Sequence, residues 1–116
     1  MKNTALKLFL VYLFFIGLVL FCNLSFGQIT AVHFNADWNS GNNVEWFNQL
    51  SDVDKGNMDI AEGGCQEKYK IAVVPTIVIF DDGEEVKRFQ ADLSFKLLAT
   101  KEEIQDYIDE LIMSKF

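Results

Sequence analysis

One proline, one histidine and two cysteines among 116 residues leave little material for redox or metal chemistry. A structural zinc site takes four Cys or His ligands, and this chain cannot assemble such a set from its single His33 and so few thiols. No metal and no cofactor are expected. Basic residues are also scarce, 10 against 17 acidic ones, for a formal net charge of −7. That imbalance disfavours nucleic acid and anionic membranes as partners and serves solubility first. Internal repeats, low-complexity segments and linkers are missing, so the chain reads as one small unit.

The opening segment stands apart. Lys2 and Lys7 make a positive start, Leu8 to Phe21 is an uncharged apolar run, and Ser25-Phe26-Gly27 resembles a small-x-small cleavage site. These are the parts of a secretory signal peptide in their usual order. The run is shorter than the roughly 20 residues that a membrane-spanning helix uses, which argues against an uncleaved anchor. A lipid attachment through Cys22 fits less well, because Phe21 precedes it where a small residue is needed. The expectation is residues 1–27 as signal and 28–116 as one domain, secreted or periplasmic, touching a membrane only transiently during export. Loss of Lys2 and Lys7 takes the charge from −7 to −9. Cys65 would then be the lone thiol, with no internal disulfide.

Along the remaining chain, Ile29 to Ala36 alternates as a strand does, with Val32, Phe34 and Ala36 on one face and Ala31, His33 and Asn35 on the other. Asn39 to Asn43 is all Asn, Ser and Gly, suited to capping a helix that Val44, Phe47 and Leu50 indicate by their spacing of three. Ser51 to Gly56 reads as a polar connection and Asn57 to Ala61 as a short strand. Gly63 and Gly64 break the chain before a brief helix through Glu67 and Tyr69. The second half of Ile71 to Phe80 is rich in valine and isoleucine and reads as a fully buried strand. Asp81-Asp82-Gly83-Glu84 signals a hairpin, with Glu85 to Ala91 returning. Thr100 and Glu103 form a capping box ahead of Ile104, Tyr107, Ile108, Leu111 and Ile112, which share one helical face. The order β-α-β-α-β-β-α points to an α/β fold, a mixed four-stranded sheet flanked by helices.

Four pieces of this chain, in order, resemble thioredoxin-like proteins: Val32-His33-Phe34 before a turn, Trp38 within it, Lys68-Tyr69-Lys70-Ile71 leading to Val74-Pro75-Thr76, and the Phe80 to Gly83 hairpin. The resemblance covers nearly all of residues 28–116 and implies a minimal thioredoxin-like fold, short of the strand and helix that many relatives place first. It implies a cis proline at Pro75 beside the turn, and it sets Asn39 and Asn42 where the paired cysteines of a Trp-Cys-x-x-Cys motif would stand. Gly41 replaces the usual intervening proline, and His33 falls where many thioredoxins carry a buried acidic residue. A carboxamide forms neither thiolate nor disulfide, so the dithiol exchange of that family is not expected at this turn.

The candidate residues carry two readings each. Trp38, Asn39, Ser40, Gly41 and Asn42 could form a binding turn at a helix N-terminus, or the asparagines and serine could simply cap that helix. Val74, Pro75 and Thr76 could offer backbone to an extended peptide, or only shape the chain ahead of a strand. His33 is either a pH-sensitive group beneath the turn or a hydrogen-bonded interior residue. Cys65, at the start of a short helix, is a possible redox thiol or a small buried hydrophobe. Together these favour an exported thioredoxin-like domain without paired redox cysteines that binds a polypeptide or partner protein noncovalently. The alternative is a monothiol redox protein acting through Cys65, by mixed disulfide or glutathionylation. A third reading is an accessory module whose acidic surface docks a cationic partner.

Overall fold

A computed structural model describes residues 28–116. The signal peptide expected for residues 1–27, Cys22 included, lies outside the described residues. Among the described residues, no helix is long and apolar enough to cross a membrane.

Strand β1 (Ile29–Asn35) is buried along its whole length. Its alternation does separate two faces, but both are covered. Val32 and Phe34 pack with Cys65, Ile71, Val74, Val78 and Phe80 on one side. Ile29 and Ala31 pack with Phe47, Leu50, Ile77, Ile79, Ile104 and Ile108 on the other. Strand β3 (Thr76–Asp81) feeds both clusters in the same alternating way, as its continuous apolar run predicts. Burying each of Phe34 and Phe80 contributes about 1.5–3 kcal/mol, so these two central strands anchor the domain.

The sheet has the order β2-β1-β3-β4. Strand β2 (Asp54–Asp59) runs parallel to β1, with Val32 opposite Gly56 and His33 opposite Asn57. It begins three residues before the expected Asn57, inside what reads as a polar connection. An edge strand needs only one buried neighbour, and β1 supplies it, so β2 carries little apolar signal of its own. β3 pairs antiparallel with both β1 and β4 (Glu84–Gln90). At the hairpin, Asp82 and Gly83 have φ of 51° and 84°, both in the left-handed region that a two-residue type I′ turn requires.

Helix α1 (Cys65–Lys68) lies against the first cluster and α2 (Lys101–Met113) against the second, so helices flank both faces. α2 matches its sequence pattern: Ile104 and Ile108 are buried, and Thr100 Oγ1 accepts from the Glu103 N–H at 3.2 Å.

The helix expected after β1 is not an α-helix. Two 3₁₀ turns, Asp37–Asn42 and Glu45–Gln49, take its place. Asn39 leaves helical geometry at φ −111° and ψ 19°, and Asn43 is extended at ψ 143°. Asn and Ser side chains compete for backbone hydrogen bonds, and the Asn-Ser-Gly-Asn-Asn run supplies nothing to oppose them. Phe47 and Leu50 still reach the core, because a spacing of three fits a helix of three residues per turn equally well.

Candidate functional site

The turn after β1 is held by a network of four asparagines. Asn39 is only 5% exposed. Its Nδ2 donates towards Asn35 Oδ1 at 3.1 Å, Phe95 O at 3.2 Å and Val74 O at 3.4 Å. An amide nitrogen carries two hydrogens, so the longest of these contacts is the shared one. Asn42 Nδ2 donates to Asn39 Oδ1 at 2.8 Å. Asn35 Nδ2 donates to the Asn39 carbonyl at 3.2 Å and to Asn43 Oδ1. The asparagines therefore bind one another rather than capping a helix, which corrects the capping reading. No side chain caps the first turn, and with it goes the expected α-helix N-terminus.

The Val74–Pro75 peptide is cis and lies under this turn, tied to it by the Asn39 contact. Val74, Pro75 and Thr76 are all buried. Pro75 O accepts from the Ala91 N–H at 3.0 Å, and Thr76 Oγ1 donates to Val73 O at 2.6 Å. These residues form a floor beneath the turn, with Val74 O, Pro75 O and Thr76 Oγ1 each in a contact from within.

Trp38 is placed differently. It is 67% exposed and meets Phe95 edge-on, ring centroids 5.1 Å apart and planes at 89°. Phe95 belongs to a tight loop after β4. There Asp92 Oδ1 accepts from the Ser94 N–H at 2.9 Å, the Phe95 N–H donates to Asp92 O at 3.1 Å, and Ala91 bridges Leu97. Phe95 adopts φ 62°, uncommon for an aromatic residue. The Ser94 donors hold the Asp92 carboxyl below its usual range. The same loop leaves Leu93 93% exposed. Sequence reading missed Leu93, Phe95, Asn35 and Asn43; apolar residues in a segment without periodicity give no pattern to find. Ser40 and Gly41 are exposed at the turn, and a Cβ at Gly41 would meet nothing nearby.

His33 is 5% exposed, on the β1 face that Phe47 covers, with ring centroids 5.5 Å apart. Its Nδ1 lies 3.0 Å from Asn57 Oδ1, while Nε2 has no partner among the described residues. Burial pushes its pKa below the usual 6.5, partly offset by the Asn57 contact. Cys65 is buried, as the small-hydrophobe reading has it, and in the full chain it is also paired. It is disulfide-bonded and 1% exposed, so it is neither a lone thiol nor an accessible one. The other cysteine of the chain, Cys22, lies outside the described residues. The expectation of a lone thiol applies to the chain after loss of residues 1–27, Cys22 among them. Among the described residues there is no cluster of His, Cys, Asp and Glu able to hold a metal ion.

Solved structures share this mixed sheet with its flanking helices. A mutant thioredoxin from Halobacterium salinarum aligns at 24% identity over 72% of this chain and 74% of that one, with a TM-score of 0.58. Schistosoma mansoni thioredoxin aligns at 22% over 72% and 77%, TM-score 0.57. Thioredoxin 1 from Thermosipho africanus aligns at 17% over 74% and 97%, TM-score 0.56. The fold is thioredoxin-like. At these identities the likeness is one of architecture, and no family model and no curated protein matches the chain. Within the thioredoxin-like frame, Trp38 and Asn39 to Asn42 occupy the turn that follows β1, and cis Pro75 precedes β3.

Proposed function

We propose that this is an exported thioredoxin-like domain that binds a polypeptide noncovalently and performs no dithiol exchange. The observation that carries the reading is the exposed Trp38 indole braced against Phe95. Water is a poor neighbour for such surface, and a large aromatic set by a rigid loop suits an interface anchor at low entropic cost. Leu93 on the same loop adds apolar area, and Asn42 and Ser40 offer polar groups at the turn. Asn39 and Asn42 stand where the resemblance sets two cysteines, and neither carboxamide forms a thiolate at any pH. The signal-like composition of residues 1–27 supports a secreted or periplasmic location.

The test is titration of the protein with reduced and alkylated lysozyme, an unfolded cationic chain, beside an insulin-reduction assay. Saturable binding is expected, with Trp38→Ala weakening it by about 2 kcal/mol or more if the indole is a central anchor. No insulin reduction is expected. Unchanged affinity in the variant, or catalytic reduction by the unmodified chain, would overturn the reading.

A further inference from the structure

The sheet has two edges, β4 and β2, and they are finished differently. On β4 the pairing with β3 shifts between Ile79 and Phe80, and the Tyr107 hydroxyl donates to Val86 O at 3.2 Å. A bulge and an engaged carbonyl keep a further strand off an edge. On β2 the register with β1 runs without a shift from Asp54 to Asp59, and the strand holds no proline. Among the described residues no strand pairs with its outer side.

The outward groups can be named. The Ile60 N–H donates to Asn35 O at 3.0 Å, so the backbone of even-numbered residues turns towards β1. Lys55, Asn57 and Asp59 therefore point N–H and C=O away from the sheet, and their side chains share one face. A lysine on an edge deters an arbitrary strand but favours one that sets a carboxylate opposite. β2 itself is such a strand. In an antiparallel pair of two β2 strands centred on Asn57, Lys55 of each copy faces Asp59 of the other, and Met58 lies beside a Gly56 with no side chain to obstruct it. Centring on Lys55 sets lysine against lysine, and centring on Asp59 sets aspartate against aspartate. Registers centred on Gly56 or Met58 leave Lys55 or Asp59 opposite Asn57. The Asp59 carbonyl already accepts from the Glu62 N–H, so the firm bonds of the ladder are the two at Asn57 and one from each Asp59 N–H to Lys55 O.

We propose that two copies of this chain associate through their β2 edges, antiparallel about Asn57, to form one continuous sheet. The arrangement closes as a two-fold dimer, and a six-residue edge makes it a weak, concentration-dependent one.

The test expresses the full reading frame, with intact mass recording whether residues 1–27 remain. Sedimentation up to about 1 mM, a range that captures weak complexes, should show a monomer–dimer equilibrium. Lys55→Glu and Asp59→Lys each place like charges opposite one another twice and should weaken self-association about tenfold or more. Mixed in equal amounts, the two variants should recover a dimer, since each then meets its opposite charge. Hydrogen exchange of the unmodified chain should show the Lys55, Asn57 and Asp59 amides gaining protection with concentration while those of β4 do not. A monomer throughout, or a mixture that fails to recover, would overturn the proposal. Protection at these amides that ignores concentration would do the same, because another segment of the chain would then fill the edge. Should a variant fail to fold, sedimentation and exchange of the unmodified chain still decide. Neither Trp38 nor Phe95 takes part, so polypeptide binding and self-association can fail separately.

Discussion

Asn39 Nδ2 donates to the carbonyl of Phe95 at 3.2 Å, a contact that spans 56 positions of the chain. One side chain thereby joins the turn that carries Trp38 to the loop that carries its aromatic partner. The geometry of the exposed pair depends on a buried amide.

Replacing that donor should therefore be costly. Asn39→Asp would set a carboxylate against the carbonyl oxygens of Phe95 and Val74, where only a donor fits. A loss of about 3–5 kcal/mol is expected, the scale for an uncompensated buried charge. Asn39→Ala, which merely orphans the acceptors, should lose about 1–3 kcal/mol. Urea unfolding at neutral pH ranks them; an aspartate variant as stable as the parent would remove the network from the account.

The buried imidazole makes stability depend on pH in a definite direction. His33 takes a proton less readily in the folded chain than its usual 6.5. Between the folded and unfolded values the unfolded state binds more protons, so unfolding free energy rises with pH. The contribution is fully present above the unfolded value and is lost as pH falls through the folded one. Comparing unfolding midpoints at about pH 7.5 and about pH 5.5 should show a larger acid loss in the parent than in His33→Phe, because only the parent has an imidazole that gains its proton more readily on unfolding. Equal losses would exclude His33 as the cause.

Arg88 on β4 closes the far end of α1. Its guanidinium donates to Tyr69 O at 2.6 Å and Lys70 O at 2.8 Å, and pairs with Glu85 at 2.6 Å. Arg88→Ala should cost about 1.5–3 kcal/mol, as for hydrogen bonds to a charged group. Arg88→Lys should recover little, since one ammonium cannot reproduce the planar fork. Thermal unfolding of the two variants gives the comparison, and a lysine variant matching the parent would refute the fork argument.

At α2, Thr100→Ala should cost about 1 kcal/mol and Thr100→Ser almost nothing, because the serine hydroxyl can still accept from the Glu103 N–H. Equal destabilisation by both, measured in urea, would show that the hydroxyl bond is not what matters.

Legibility in the sequence follows the range of the interactions. The Asp82-Gly83 hairpin and the Thr100 cap depend on neighbours within four residues, and both stand where the residues indicate. The segment after β1 is misread as an α-helix because a spacing of three does not separate an α-helix from a 3₁₀ turn. Trp38 and Asn39 stand out in the sequence as candidates, but their partners Phe95 and Val74 are remote in the chain. Cys65 reads as a lone thiol only once residues 1–27, Cys22 among them, are removed; in the full chain it is disulfide-bonded and buried.

What the sequence by itself determined is local: two apolar central strands, a tight hairpin and a capped last helix. These rest on side-chain period and on bonds between near neighbours, which a linear pattern records. Tertiary structure alone decided that Pro75 is covered and that Asn39 is a buried staple. It also exposed Trp38 against Phe95 and buried His33 against Phe47. Each of those outcomes is a contact between distant segments, and the free energy of such a contact exists only once the sheet has brought them together.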